Sequence, residues 1–270
     1  MFRPNVAFAA ILVCAGCISV NAQVHYAAGQ NVAPVFEGWE HNPDGTWSMV
    51  FGYLNRNYEE ELDIPVGPNN TVTPGGDRGQ PEHFYPRRQR FLFRVVVPAD
   101  WDKTQKVVWT LTSHGRTDRA SGWLQPEWEL SEGVMTENNG GGVPDPANKP
   151  PSLTTGPDQT IALPSAATLT ASATDDGLPK PYLRAPSNPD RDSEPRRPRG
   201  VQIKWIQYRG PGKVTFDPDS SPILHGQPVE LSSKVSFSAP GKYVLRATAF
   251  DGQLYSTRDV TVIVTPADKR

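Results

Sequence analysis

The sequence predicts an all-β protein of two sandwich domains in tandem, and three observations lead there. Apolar and polar residues alternate with a period of two over many short runs, the signature of half-buried strands. No stretch carries the three-to-four spacing of a long amphipathic helix. Between Glu132 and Pro151 the chain reads EGVMTENNGGGVPDPANKPP, where glycines cost most to order and prolines donate no ladder hydrogen bond, so neither strand nor helix is expected. A Gly/Pro/Asn-rich linker at 133–149 therefore separates an N-terminal domain at 30–132 from a second domain at 150–266.

The first 22 residues read as a signal peptide. Arg3 precedes an apolar run from Val6 to Val20, too short for the roughly 20 residues that span a bilayer, and Val20-Asn21-Ala22 supplies small or aliphatic residues for cleavage. The two cysteines, Cys14 and Cys17, both fall inside it, so the mature chain offers neither disulfides nor thiolate ligands. That composition fits a bacterial periplasm or cell surface better than a disulfide-stapled eukaryotic secretion. Ala15-Gly16-Cys17 also fits the small residues before a lipidated cysteine, although Cys14 stands where Leu is favoured, and this anchor is the alternative. With 27 Lys and Arg against 29 Asp and Glu the net charge is −2, without the basic excess that nucleic acid requires.

In the second domain Leu169, Ala171 and Ala173 share one strand face, as do Val201, Ile203 and Trp205, then Val235 and Phe237, then Tyr243, Leu245, Ala247 and Ala249, then Val260, Val262 and Val264. A first strand near Gln159–Leu163 and a short one at Lys213–Phe216 after Gly210-Pro211-Gly212 bring the set to about seven. The successive pieces NKPPSLTTGPDQTIALPSAATLTASATDDG, VQIKWIQYRGPGKVTF, FSAPGKYVLRATAFDG and DVTVIV resemble bacterial PKD-type, cadherin-like repeats with the immunoglobulin-like sandwich, over residues 148–265. The resemblance implies structural roles for Trp205 as core tryptophan and Tyr243 as corner tyrosine. It is interrupted at 178–200 by a Pro/Arg/Asp-rich insertion whose composition predicts disorder.

Strands are also expected at Thr46–Leu54, Glu60–Val66, Phe91–Val97 and Lys106–Ser113, which makes the N-terminal domain a second sandwich. VFEGWEHNPDGTWSMVFGYLNRN resembles segments of exported bacterial proteins of unassigned function.

No pattern of catalytic residues stands out. The five histidines lack metal-ligand spacing, and HExxH, GxSxG and a phosphate-cradling glycine loop do not occur. Ser113 and His114 are neighbours on a strand, so their side chains diverge. The run Glu59, Glu60, Glu61 and Asp63 reads as a solvated strand edge. Trp47, Met49, Phe51 and Tyr53 share one face, which either lines the core or, if exposed, stacks sugar rings through Trp47, Phe51 and Tyr53. Arg56, Arg87, Arg88 and Arg90 lie nearby and offer an anionic partner a basic surface, or merely solubilise. In an immunoglobulin-like topology the loops carrying Asp175-Asp176 and Asp251 share an end with the incoming Asp145 and Asn148. Their oxygens suit Ca²⁺, which takes six to eight such ligands, while Asp-Gly is equally a favoured turn. The sequence thus reads as a non-enzymatic exported protein that binds or spaces a protein or polysaccharide at the cell surface or in the periplasm, with a carbohydrate-binding accessory protein as its rival.

Overall fold

The computed structural model describes residues 25–139, 142–181 and 199–267, so the leader at 1–22 and most of the insertion at 178–200 lie outside the described residues. The first half supplies β1 (Val32–His41), β2 (Trp47–Asn55), β3 (Leu62–Asp63), β4 (Asn70–Thr73), β5 (His83–Phe84), β6 (Arg87–Val97), β7 (Val107–Ser113) and β8 (Arg116–Gly122). A single 3-10 turn at Pro126–Trp128 and a short helix, α1 (Glu132–Asn138), follow. Strands β1, β2 and β6 pair in that order as one antiparallel sheet and β4, β7 and β8 as another. Between them lies an aromatic core in which Phe93 meets Trp109 edge-on at 4.9 Å and stacks on Phe51 at 5.5 Å.

Two of the expected N-terminal strands sit close to their observed positions, and one shrinks. Glu60–Val66 keeps ladder pairing only at Leu62–Asp63. Pro65 cannot donate, and the stretch beyond is held instead by a buried asparagine. Asn70 Nδ2 donates to the carbonyls of Ile64 and Pro81 at 2.8 and 2.7 Å, and its Oδ1 accepts from Trp109 Nε1 at 3.0 Å. Loop carbonyls that would otherwise be buried unpaired are thereby satisfied.

The second half supplies β9 (Ser152–Thr155), β10 (Gln159–Ala162), β11 (Ala167–Thr174), β12 (Gln202–Arg209), β13 (Val214–Asp217), β14 (Val229–Phe237), β15 (Gly241–Phe250) and β16 (Tyr255–Thr265). Its two sheets run β13-β14-β11-β9 and β10-β16-β15-β12, with β10 parallel to β16 and every other pair antiparallel. This is the immunoglobulin-like order, with the first strand split between the sheets. Strict alternation is visible in β11 and β14, whose inward residues Leu169, Ala171, Leu231 and Val235 are buried and whose alternate residues are exposed. Trp205 and Tyr243 take the structural places implied for them: both are fully buried, and the Tyr243 hydroxyl donates to the Ala239 carbonyl at 2.7 Å. Gly210, at φ +145°, lies against the Tyr243 ring, where a Cβ would overlap it.

The stretch expected to hold neither strand nor helix contains α1. Ser131 caps it, its Oγ accepting from the Val134 N–H at 3.3 Å, and Glu132 sits in the first turn. Buried Thr136 reaches the Gln253 carbonyl of the second sandwich at 3.5 Å, and the first proline comes only at Pro144. Seven residues are too few for a helix to persist by propensity, so this docking contact is what holds the turn.

Candidate binding cleft between the sandwiches

The site begins with an irregularity in β6. Phe93 pairs with Phe51 and Gln89 with Tyr53, so Arg90, Phe91 and Leu92 face the single residue Gly52. Within the bulge Phe91 takes a positive φ of 50°, a conformation bulky residues adopt only when their surroundings impose it, and Arg87 at the start of the strand also has a positive φ of 67°. One imposing contact crosses over Gly52: Arg88 Nη2 donates to Glu37 Oε2 at 2.7 Å and its Nη1 to the Tyr53 and Gln89 carbonyls. Burial pushes the Glu37 carboxyl up, against the downward pull of Arg88. A methyl group at position 52 would overlap both the Glu37 carboxylate and the Gln89 carbonyl.

The bulge then docks on the second sandwich. Arg246 Nη1 donates to the Leu92 carbonyl at 2.7 Å and the Tyr255 hydroxyl to the Phe91 carbonyl at 3.2 Å. Arg246 is fixed from behind by a bidentate pair with Asp259 at 2.7 and 2.8 Å and by stacking over Tyr208 at 3.7 Å. A second group of contacts lies further along β12. The Tyr208 hydroxyl donates to Gly79 O at 2.5 Å, Glu82 N–H to Tyr208 O at 3.0 Å, and Gln207 N–H to the Tyr85 hydroxyl at 2.9 Å. Arg209 donates to Gln80 O at 2.8 Å and clasps both oxygens of Asp77, holding that carboxyl below its usual range.

Between these contacts the sandwiches leave a cleft of about 590 Å³, within the size range of small-ligand pockets. Arg88, Arg90 and Tyr85 line it from the first domain, Lys204, Arg246 and Tyr255 from the second, and among the described residues no Asp or Glu lines it. Arg88 and Arg246 are committed to Glu37 and Asp259. Lys204 is exposed and only loosely paired, 3.8 Å from Asp219. Arg90 is exposed with no hydrogen bond or ion pair among the described residues, and its charge adds weakly to the pull of Arg88 on the Glu37 carboxyl. His83 lines the inner wall, buried between Asp63 at 2.7 Å and Glu61 at 3.3 Å. The acidic run is therefore more than a solvated edge: two of its members hold a histidine that sequence spacing did not connect to them.

The other expected sites fare differently. Phe51 and Tyr53 are buried in the aromatic core, the Tyr53 hydroxyl accepting from the Tyr85 N–H at 2.8 Å. Trp47 alone stays half-buried, edge-on to Trp39 at 5.2 Å and His41 at 4.5 Å. The face therefore lines the core and is no platform for sugar rings. Ser113 Oγ accepts from the Val32 N–H in the interior, while His114, at φ 47° in the hairpin turn, meets Glu60 at 3.2 Å. Arg56 donates to Asn31 and Arg87 lies 4.0 Å over Tyr58.

At the end of the second sandwich where the linker enters, the carboxylates do approach one another. Burial, followed by the charges of Asp251 and Asp176, raises the Asp175 carboxyl, and burial likewise raises Asp251. Most oxygens there are taken by N–H donors. Asp251 accepts from Gln253 and Leu254 N–H at 2.6 and 2.7 Å and from Asn148 Nδ2 at 3.0 Å, and Asp176 accepts from Lys149 and Leu178 N–H. Asp145 is turned to its own loop, accepting from Ala147 N–H at 3.0 Å. Asn148 Oδ1 and Asp175 Oδ1 are buried without a partner among the described residues. No group of three His, Cys, Asp or Glu among the described residues is placed to hold a metal.

Fold and site together define a class: two β-sandwich modules, the second of immunoglobulin-like order, meeting across a polar cleft. No family model matches the chain, and no curated protein matches it in sequence. Solved structures do. The PKD domain of human KIAA0319 is 19% identical, covering 46% of this chain and 88% of its own, at a TM-score of 0.24. Domains 4 and 5 of the S-layer protein SbsC are 10% identical, covering 87% and 98%, at 0.27. The fibronectin(III)-like modules of Clostridium thermocellum CbhA are 10% identical, covering 89% and 97%, at 0.26. Likeness at this level carries nothing about ligand or activity. No helix among the described residues is long and apolar enough to cross a membrane.

Proposed function

We propose that the chain is a non-enzymatic exported protein that binds or spaces a partner at the bacterial cell surface or in the periplasm, with its two sandwiches held in one orientation. One observation carries the reading. Tyr208, Arg209, Arg246 and Tyr255 of one sandwich all donate to backbone carbonyls of the other. Side-chain donors aimed at fixed carbonyls set an angle between domains, which a bare linker does not. Export rests on the leader read from residues 1–22. Expression of the full chain in a bacterium, fractionation and intact mass measurement test it. A mature chain starting at Gln23 outside the cytoplasm is expected, and a diacylated Cys17 would replace secretion by anchoring. A full-length chain retained in the cytoplasm would contradict export.

Calcium stiffening of the linker is a second reading, favoured by the two buried oxygens of Asn148 and Asp175 that lack partners. Water and backbone carbonyls have to complete the six to eight ligands, which fits the weak, millimolar class of extracellular sites. About 1 mM Ca²⁺ is expected to raise the melting temperature, and Asp175→Asn to remove that rise. An unchanged melting curve of the native chain would make Asp175 and Asn148 ordinary turn residues.

A further inference from the structure

We propose that the interdomain cleft binds an acidic saccharide, whose carboxylate is taken by Arg90 and Lys204 and whose ring faces lie against Tyr85, Phe250 and Tyr255. The proposal rests on the reading of a binding protein and names its ligand class. Four kinds of wall chemistry point to it.

The first is charge. Among the described residues, four Arg and Lys side chains and no carboxylate line the cleft. Two of the four are held by close acids, which leaves Arg90 on one wall and, on the other, Lys204 with only its loose, exposed contact to Asp219, for an incoming anion. An unpaired guanidinium on a strained bulge is an arrangement that ordinary solubilising arginines do not need. The second is aromatic surface. Tyr85, Phe250 and Tyr255 line the cleft half-buried. The hydroxyl of Tyr85 is engaged by Gln207 N–H and that of Tyr255 by Phe91 O, so what these two offer is ring surface. The third is neutral polar groups suited to sugar hydroxyls. Thr248 and Thr257 stand directly opposite each other on β15 and β16, and Gln89 and Gln202 lie in the same lining. The fourth is the domain arrangement. Arg246 and Tyr255, which line the cleft, also fasten the two walls together, so a ligand meets a preformed site.

Phosphate-rich polymers fit less well. They bind through extended basic surfaces, whereas this chain carries a net charge of −2 and offers here only Arg90 and the loosely paired Lys204. A carboxylate on a hydroxylated ring matches two cations among ring faces, hydroxyls and amides.

Calorimetric titration of the mature chain with trigalacturonate, cellotriose and an acidic peptide tests the proposal. Trigalacturonate is expected to bind at neutral pH and to weaken between about 20 and about 200 mM NaCl as screening grows. Arg90→Ala and Lys204→Ala are each expected to weaken it about tenfold, the effect of losing one charge-assisted hydrogen bond, and Arg90→Lys to keep part of the affinity. Cellotriose is expected not to bind. Arg90 is exposed and makes no hydrogen bond or ion pair among the described residues, so its removal is expected to leave the fold intact, which circular dichroism checks. Absent trigalacturonate binding, equal binding of cellotriose, or affinity indifferent to Arg90→Ala would overturn the proposal. Binding of the acidic peptide alone, lost in Arg90→Ala, would overturn the saccharide and leave the binding protein standing.

Discussion

Gly52 does more at its position than its lack of a side chain implies. The Glu37–Arg88 pair passes over it, and the Gln89 carbonyl approaches from the same side. Replacing it by alanine pushes the pair apart and leaves a buried carboxylate without its guanidinium, a change that costs about 3–5 kcal/mol when a buried pair is broken outright, and less here because Arg88 retains some exposure. Gly52→Ala is therefore expected to lower the urea midpoint measurably while the m-value stays the same, and to release the bulge at Arg90. An unchanged midpoint would show that the bulge does not depend on that crossing. Single residues of this kind were hardly legible in the sequence. Gly52 sits in a strand pattern like any small residue, and its partners Glu37, Arg88 and Gln89 reach it from two other strands.

At the scale of elements, legibility followed alternation. β11, β14 and β15 repeat a two-residue burial pattern along their whole length, so their strands and inward faces were readable. β1 was not, because Pro34 and Gly38 break the pattern. Its edge position tolerates the proline, and the register shift between Phe36 and Gly38, at φ +138°, uses the glycine where a Cβ would meet Leu130. β8 was missed because Arg116 to Arg119 is polar, and only Ala120 and Gly122 turn to the core, the latter against Phe36. α1 was excluded on composition and formed anyway, since Ser131 and the docking of Thr136 on Gln253 outweigh seven residues of weak propensity. The aromatic row of β2 showed its periodicity in sequence but not its direction. Which face a row turns to the core is settled by the opposing sheet, here by Trp109 of β7, which meets Phe51 edge-on at 6.2 Å.

At the scale of the molecule, the two cores are separate clusters. Their relation was beyond the sequence, since every contact that fixes it joins residues far apart in the chain, such as Arg246 to Leu92 or Arg209 to Asp77. The cleft forms where these contacts bring the sandwiches together, and the same docking puts Arg90 and Lys204 into one lining. Hydrogen bonds to charged donors contribute about 1.5–3 kcal/mol each, enough together to outweigh free rotation about the linker. Residual dipolar couplings of the backbone amides test this most directly. One alignment tensor is expected to fit both sandwiches in the native chain, and Arg209→Ala combined with Arg246→Ala to split it into two. Two tensors of different magnitude in the native chain would contradict the fixed orientation and, with it, the preformed cleft.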